Sequence, residues 1–128
     1  MIHGAVIGLD QRGIMLTGAG GSGKSTMTAA AISRGWQTTG DDFVLVSMPP
    51  QLTSFPIFDV MKLTGMAEDM FADQVAMATN RNRKKGEKAL IPVSGAAGTN
   101  FVSRLPIEAV FSLQLTGAET SHIETLSK

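Results

Sequence analysis

Apolar positions gather in short runs along this chain, and most of the runs read as strands. Residues 2–8, Ile-His-Gly-Ala-Val-Ile-Gly, predict a strand, and Asp10-Gln11-Arg12-Gly13 supplies turn chemistry. Residues 14–17, Ile-Met-Leu-Thr, then predict a second strand, so the first 17 residues read as a hairpin. Residues 25–34 are rich in alanine and predict a helix, with Gly35 as its stop. Residues 35–40 predict a short edge strand, with Trp36 as a core residue, and Phe43-Val44-Leu45-Val46 is a β-rich run. Prolines are expected to keep residues 48–56 out of regular structure. Residues 66–79 have helical spacing, with Met66, Met70, Phe71, Gln74 and Met77 near one face and the methionines as core filler. Residues 89–93 predict a strand, residues 94–100 a small-residue connection, and residues 107–115 a strand after Pro106. The tail, residues 116–128, is polar, with His122 at the surface. With no repeat and no linker, residues 1–128 are expected to form a single domain.

Between the second strand and the first helix lies Gly18-Ala19-Gly20-Gly21-Ser22-Gly23-Lys24-Ser25, followed by Thr26. It fits the phosphate-loop pattern of Gly, four residues, then Gly-Lys-Ser/Thr. A phosphate chain is cradled by several backbone N–H groups pointing inward together, and side chains would block that approach. The helix that follows offers unpaired N–H groups and its positive dipole end to the same anion. Lys24 is expected to reach the outer phosphates of ATP, and the Ser25 hydroxyl to ligate Mg2+. Strand, glycine loop and helix follow one another in the order such a loop needs. A flexible Gly/Ser linker is the bland alternative.

Composition narrows the function classes. Lys plus Arg equals Asp plus Glu at 11 each, which argues against general affinity for nucleic acid or an anionic membrane. There are no cysteines, hence no disulfide, thiolate zinc site or cysteine nucleophile. No apolar run approaches the roughly 18 residues of a spanning helix, and the N-terminus lacks a signal-peptide pattern, so a cytoplasmic location is expected. Residues 80–88 form the one basic cluster, read as a solvated loop or a clamp for a nucleotide or an acidic partner.

Asp41 and Asp42 precede the β-rich run. Near phosphates, one would face magnesium and the other an incoming hydroxyl, whereas Gly-Asp-Asp is also good turn chemistry. Neighbours on a strand point to opposite faces, so the two are expected to differ in role.

With His3-Gly4, Gly18 to Thr26, Arg34-Gly35 and Asp41-Asp42 in place, residues 1–47 resemble the catalytic domain of HPr kinase/phosphorylase and its shorter relatives. The spacing agrees too: His3 lies 21 residues before Lys24, and Asp42 lies 17 after Ser25. The resemblance implies an α/β fold, a mixed β-sheet phosphate-loop domain of the phosphoenolpyruvate carboxykinase type with a hairpin feeding the loop. It implies that Lys24 holds nucleotide phosphates and Ser25 a metal. It further implies that Asp42 takes the proton of a protein substrate's serine, with His3 an active-site residue beside the aspartate pair. Self-association is implied as well. The family's second signature, a Glu-containing Val-Arg-Gly-type stretch, is missing from residues 48–128, which leaves a second metal ligand unassigned and speaks against the reverse, phosphate-removing activity. No motif chooses among Arg81, Arg83 and Arg104 as a phosphate-binding arginine.

The leading expectation is an ATP-dependent kinase acting on a serine hydroxyl of a protein or an equivalent small-molecule hydroxyl. One rival is a nucleotide-binding regulatory protein without efficient transfer. Another is a small-metabolite kinase of the parallel phosphate-loop type, which requires a parallel strand rather than a hairpin leading into the loop.

Overall fold

The expected hairpin over residues 2–17 is shorter, residues 5–17, because Ile2 and His3 pair with a later strand. In the computed structural model, which describes residues 1–126, Gly4 separates β1 (Ile2–His3) from β2 (Ala5–Leu9). β2 pairs antiparallel with β3 (Arg12–Thr17), from Ala5 opposite Leu16 to Leu9 opposite Arg12. Asp10 and Gln11 turn the chain at φ 51° and 62°, the left-handed pair of a two-residue hairpin turn. The glycine-rich loop then leads into α1 (Lys24–Ser33).

β4 (Gln37–Gly40) and β5 (Phe43–Val46) run back along the same N-terminal strand. β4 pairs with β2 and β5 with β1, and Val6–Gly40, His3–Phe43 and Ile2–Val44 share one register. That register sets Gly4 against Asp42, and the Gly4 N–H donates to the Asp42 carbonyl at 2.9 Å. The two aspartates therefore occupy a kink inside one long ladder, opposite the break at Gly4.

Two further strands complete the sheet, β6 (Thr53–Pro56) and β9 (Leu105–Ser112), in the order β1-β5-β6-β9-β3-β2-β4. β3 and β9 are parallel and the other neighbours antiparallel. Between β6 and β9 the chain builds a small second layer. It comprises β7 (Met61–Leu63), α2 (Met66–Met70), α3 (Ala72–Val75), β8 (Ala89–Ile91), α4 (Val93–Ala97) and a 3-10 turn (Gly98–Asn100), with β7 and β8 paired antiparallel. α1 lies between the layers. Its Ala31 packs with Ala5, Ile7 and Leu16 of the sheet, and its Ala29 and Ile32 pack with Met61, Leu63, Ile91 and Val93. Small residues let the helix approach both sides closely, which explains its alanine content better than propensity alone.

The hairpin has its own packing requirement. A Cβ at Gly8 would stand 2.5 Å from the Arg12 carbonyl oxygen and 2.8 Å from a Leu105 methyl; one at Gly13 would stand 2.5 Å from the Pro106 carbonyl oxygen. Leu105 is fully buried in the space these glycines leave. Gly8→Ala is expected to lose roughly 1–3 kcal/mol, a drop in melting temperature of about 4–12 °C by calorimetry. An unchanged melting point would show that the contact relaxes freely.

Several expectations from the sequence are corrected. Residues 53–56 form β6 rather than loop: Pro56 stands at the strand's end, where it costs no interior ladder bond. The helix expected over 66–79 is two short ones, broken at Phe71, whose φ of −122° and ψ of 46° are not helical. Its methionines are not core filler. Met66, Met70 and Met77 are 79%, 62% and 45% exposed, while the inward positions are Ala67, Gln74 and Ala78. Residues 93–97 form α4 where a connection was expected. Asp59 caps it, accepting the Ser94 N–H at 2.7 Å and the Ser94 hydroxyl, a partner too distant in sequence to anticipate. β8 ends at Ile91, and β9 spans 105–112 rather than 107–115. β7 was not anticipated at all. Trp36 is half-buried against the sheet cluster, and His122 is exposed. Residues 116–126 carry no helix or strand, and the last two residues of the polar tail lie outside the described residues. Among the described residues no helix is long and apolar enough to cross a membrane.

Candidate active site

Gly23 caps α1 in the left-handed region, φ 99°, so the chain can swing from loop to helix without a side chain in the way. Gly18 is needed for space as well: a Cβ there would meet Ser22 Oγ at 2.6 Å and the Leu113 carbonyl oxygen at 2.8 Å. Lys24, the first residue of the helix, is only 8% exposed. Its ammonium donates to the Gly18 and Ala19 carbonyls at 2.8 and 3.0 Å, with Ser22 Oγ at 3.5 Å. The loop's own acceptors thus hold the cation at its centre. Ala19, Gly20 and Gly21 are exposed, and Ser22, Gly23, Ser25 and Thr26 are half-buried. A shallow cavity of about 420 Å3 opens beside the loop, between Gly18–Ser22 and the Ser112–Leu115 stretch.

The aspartate pair divides as strand alternation predicts, although the pair sits in a kink. Asp41 is 2% exposed and turns toward α1. Ser25 Oγ donates to its Oδ2 at 2.6 Å and Thr28 Oγ1 to its Oδ1 at 3.1 Å. Burial raises the Asp41 carboxyl above the usual carboxylate range, against the opposing pull of Ser25, Thr28 and the Lys62 backbone amide, and the Asp42 charge adds to the rise.

Asp42 faces the other way and is more open. It adopts φ 35°, a conformation short polar side chains tolerate. Lys62 Nζ donates to its Oδ2 at 2.8 Å, and His3 Nε2 lies 3.3 Å from its Oδ1. Partial burial works against the Asp42 charge, but the Lys62 hydrogen bond and charge, joined by His3, outweigh it and hold the carboxyl below the usual range. His3 is half-exposed, and its ring lies against Phe43 with centroids 4.9 Å apart.

The sequence-derived residues thus fall into two groups joined at one peptide bond: Ser25 with Asp41, and His3 with Asp42. Thr28 and Lys62 complete the groups and were not anticipated. Thr28 lies one turn beyond Lys24 on α1, so helical spacing was its signal. Lys62 had only the apolar-Lys-apolar alternation of Met61-Lys62-Leu63, too short to mark a strand by itself. The arginines considered from sequence lie elsewhere. Arg83 pairs with Glu68 at 3.2 Å and Arg81 reaches the Ala76 carbonyl at 3.4 Å; among the described residues no arginine contacts either aspartate. A second cavity, about 400 Å3, lies between the end of α1 and α2–α3, away from the carboxylate pair. Volume does not distinguish the two cavities; the chemistry does.

No family model matches the sequence, and no curated protein does. The structure does have a counterpart. The HPr(Ser) kinase/phosphatase of Coxiella burnetii superposes with a TM-score of 0.61 over 87% of this chain at 21% identity. This chain has the HPr kinase fold. It spans 63% of that protein's chain. The HPr kinase fold explains why a hairpin, rather than a parallel βαβ unit, feeds the glycine-rich loop, and the hairpin counts against a small-metabolite kinase of the parallel type. β3 has a parallel neighbour in β9, but β9 comes last in the chain rather than next after α1.

A buried carboxylate held by hydroxyls has a testable thermodynamic sign. Asp41's folded-state pKa is raised, so the stability it contributes is present below its unfolded value near 3.8 and is lost as pH rises through the folded value. Asp41→Asn removes that loss. The variant is expected to melt higher than the native chain at neutral pH, the gap closing as pH falls toward 3.8, as thermal scans across that range would show. A variant that melts lower at pH 7 would mean the hydroxyl bonds outweigh desolvation.

Proposed function

We propose that the chain is an ATP-dependent kinase of the HPr-kinase-like class, transferring the γ-phosphoryl group to a serine hydroxyl of a protein or to an equivalent small-molecule hydroxyl. The observation that carries this reading is the division of the adjacent aspartates, Asp41 toward Ser25 at the loop helix and Asp42 toward the half-exposed His3. Phosphoryl transfer needs charge neutralisation on one side of the γ-phosphate and an oriented hydroxyl on the other.

On the loop side, Lys24 and the phosphate loop bind the nucleotide's phosphates. Ser25 Oγ and Asp41 Oδ2 are hard oxygen donors, and no cluster of three or more His, Cys, Asp or Glu exists among the described residues. That donor set fits Mg2+, which commonly takes one or two carboxylates plus substrate phosphates and water. Bound there, the ion would neutralise charge on the phosphate oxygens. On the open side, Asp42 accepts the hydroxyl proton as the hydroxyl oxygen forms its bond to the γ-phosphorus. The bond from that phosphorus to the bridging oxygen breaks, and its electron pair leaves with ADP. His3 holds one Asp42 oxygen and with it the carboxylate's orientation. Membership of the HPr kinase family, an acceptor serine on a partner protein and self-association belong to the same reading.

Titration calorimetry with MgATP, run beside an assay of ADP release, tests it. Binding with ADP release that needs Asp42 is expected. Binding with no release in the presence of any acceptor would favour the regulatory reading, which the missing second signature also supports. No binding would remove both.

A further inference from the structure

We infer that Lys62 is a catalytic residue of this site, the second cation that meets the transferred phosphoryl group on its acceptor side. The inference rests on the kinase reading above and adds to it a residue that no motif marks.

Its placement follows from strand geometry. β7 is three residues long, and its outer two, Met61 and Leu63, are 0% and 1% exposed in the cluster beneath α1. Alternation along the strand sends the residue between them to the opposite side. There Lys62 Nζ donates to Asp42 Oδ2 at 2.8 Å. Its backbone is fixed by pairing with Leu90.

Charge balance argues for the role. A phosphoryl group in transit carries negative charge toward Asp42, itself an anion beside Asp41. Lys24 sits on the loop side, bonded to the Gly18 and Ala19 carbonyls. His3 is charged only when protonated, and among the described residues no arginine reaches either aspartate. Lys62 supplies the ammonium next to Asp42. Its ammonium has three donors, and one is used on Asp42. With the side chain 39% exposed, the others meet no acceptor among the described residues and can take phosphoryl oxygens. A cation so placed acts mainly when the phosphoryl group has moved away from ADP, so it belongs to the transition state more than to nucleotide binding.

The bland reading is a salt bridge that fastens β7 to the sheet, and binding measurements separate the two. MgADP is titrated into the full chain with and without aluminium fluoride, which mimics the phosphoryl group in transit, for the native protein, Lys62→Met and Lys62→Arg. The native chain is expected to bind MgADP at least about tenfold tighter with fluoride, as a preorganised cation site would. Lys62→Met should keep MgADP affinity within about twofold, as a residue acting in the transition state would, but lose that tightening, and Lys62→Arg should retain most of it. Equal tightening in Lys62→Met, or no tightening in a native chain that binds MgADP, overturns the role of Lys62 and leaves nucleotide binding standing. A parallel loss of affinity with and without fluoride, accompanied by a lower melting point, also overturns it in favour of the fastening role. A native chain that binds no MgADP overturns the kinase reading itself.

Discussion

Asp42→Asn is expected to lower turnover by roughly 10²- to 10⁴-fold while MgATP affinity stays within about twofold. The substitution keeps the shape of the side chain and one acceptor oxygen but removes the charge that, in the proposed reaction, takes a hydroxyl proton. Asp42 lies on the far side of the kink from Asp41, the partner of Ser25, so the proposed nucleotide contacts should be preserved. Its lowered pKa has two consequences. It is ionised across the neutral range, so the acid limb of a pH–rate profile should not show a midpoint between pH 5 and 8 from this group. It is also a weak base, which suits a reaction whose loose transition state needs an oriented hydroxyl more than early proton removal. The stability sign is opposite to that of Asp41. A depressed carboxylate stabilises the fold above its unfolded value near 3.8, and that contribution is lost as pH falls through the folded value. Steady-state kinetics beside calorimetry decides the matter: equal losses of turnover and affinity would move Asp42 into nucleotide binding.

The strand, glycine loop and helix of residues 12–33 were legible in the sequence because they are local. The loop, the strand before it and the helix after it are contiguous, and each element follows from residues within a few positions of it. The hairpin was legible for the same reason, its turn chemistry lying between two apolar runs. The pairing of Asp42 with His3 came from resemblance, since a lone histidine on a strand carries no signal of its own.

What escaped the sequence depends on contacts across the fold. Lys62 meets an aspartate 20 residues earlier through a strand too short to show a period. α4 is capped by Asp59, 35 residues before the Ser94 it holds. The methionines of residues 66–77 fit a helical face, but an amphipathic pattern does not say which stripe is inward when small residues can supply it. Here Ala67 and Ala78 let the second layer close on α1, and the larger methionines face outward. The strand at 53–56 was hidden by prolines that lie at its end and in the preceding turn, where they are tolerated.

Lys24→Met is expected to weaken MgATP binding by on the order of 100-fold while changing the melting temperature by only a few degrees. The ammonium is buried and makes its close hydrogen bonds to the Gly18 and Ala19 carbonyls, so its removal has two costs of different size. Structurally, two carbonyls lose a donor, but Ala19 is exposed and water can replace the ammonium there, which limits the loss. Functionally, a phosphate chain loses the one cation fixed at the centre of its loop, and charge-assisted bonds to phosphate are about twice as strong as neutral ones. The second cost therefore dominates. Lys24→Arg should not restore affinity, because a planar guanidinium is wider than the ammonium that fits between the loop carbonyls. Set beside Asp42→Asn, the variant gives a double dissociation: affinity falls in one with the carboxylate pair intact, and turnover falls in the other with affinity intact. Unchanged affinity in Lys24→Met, measured by calorimetry, would mean the nucleotide does not sit in this loop, and the assignment of both aspartates would fall with it.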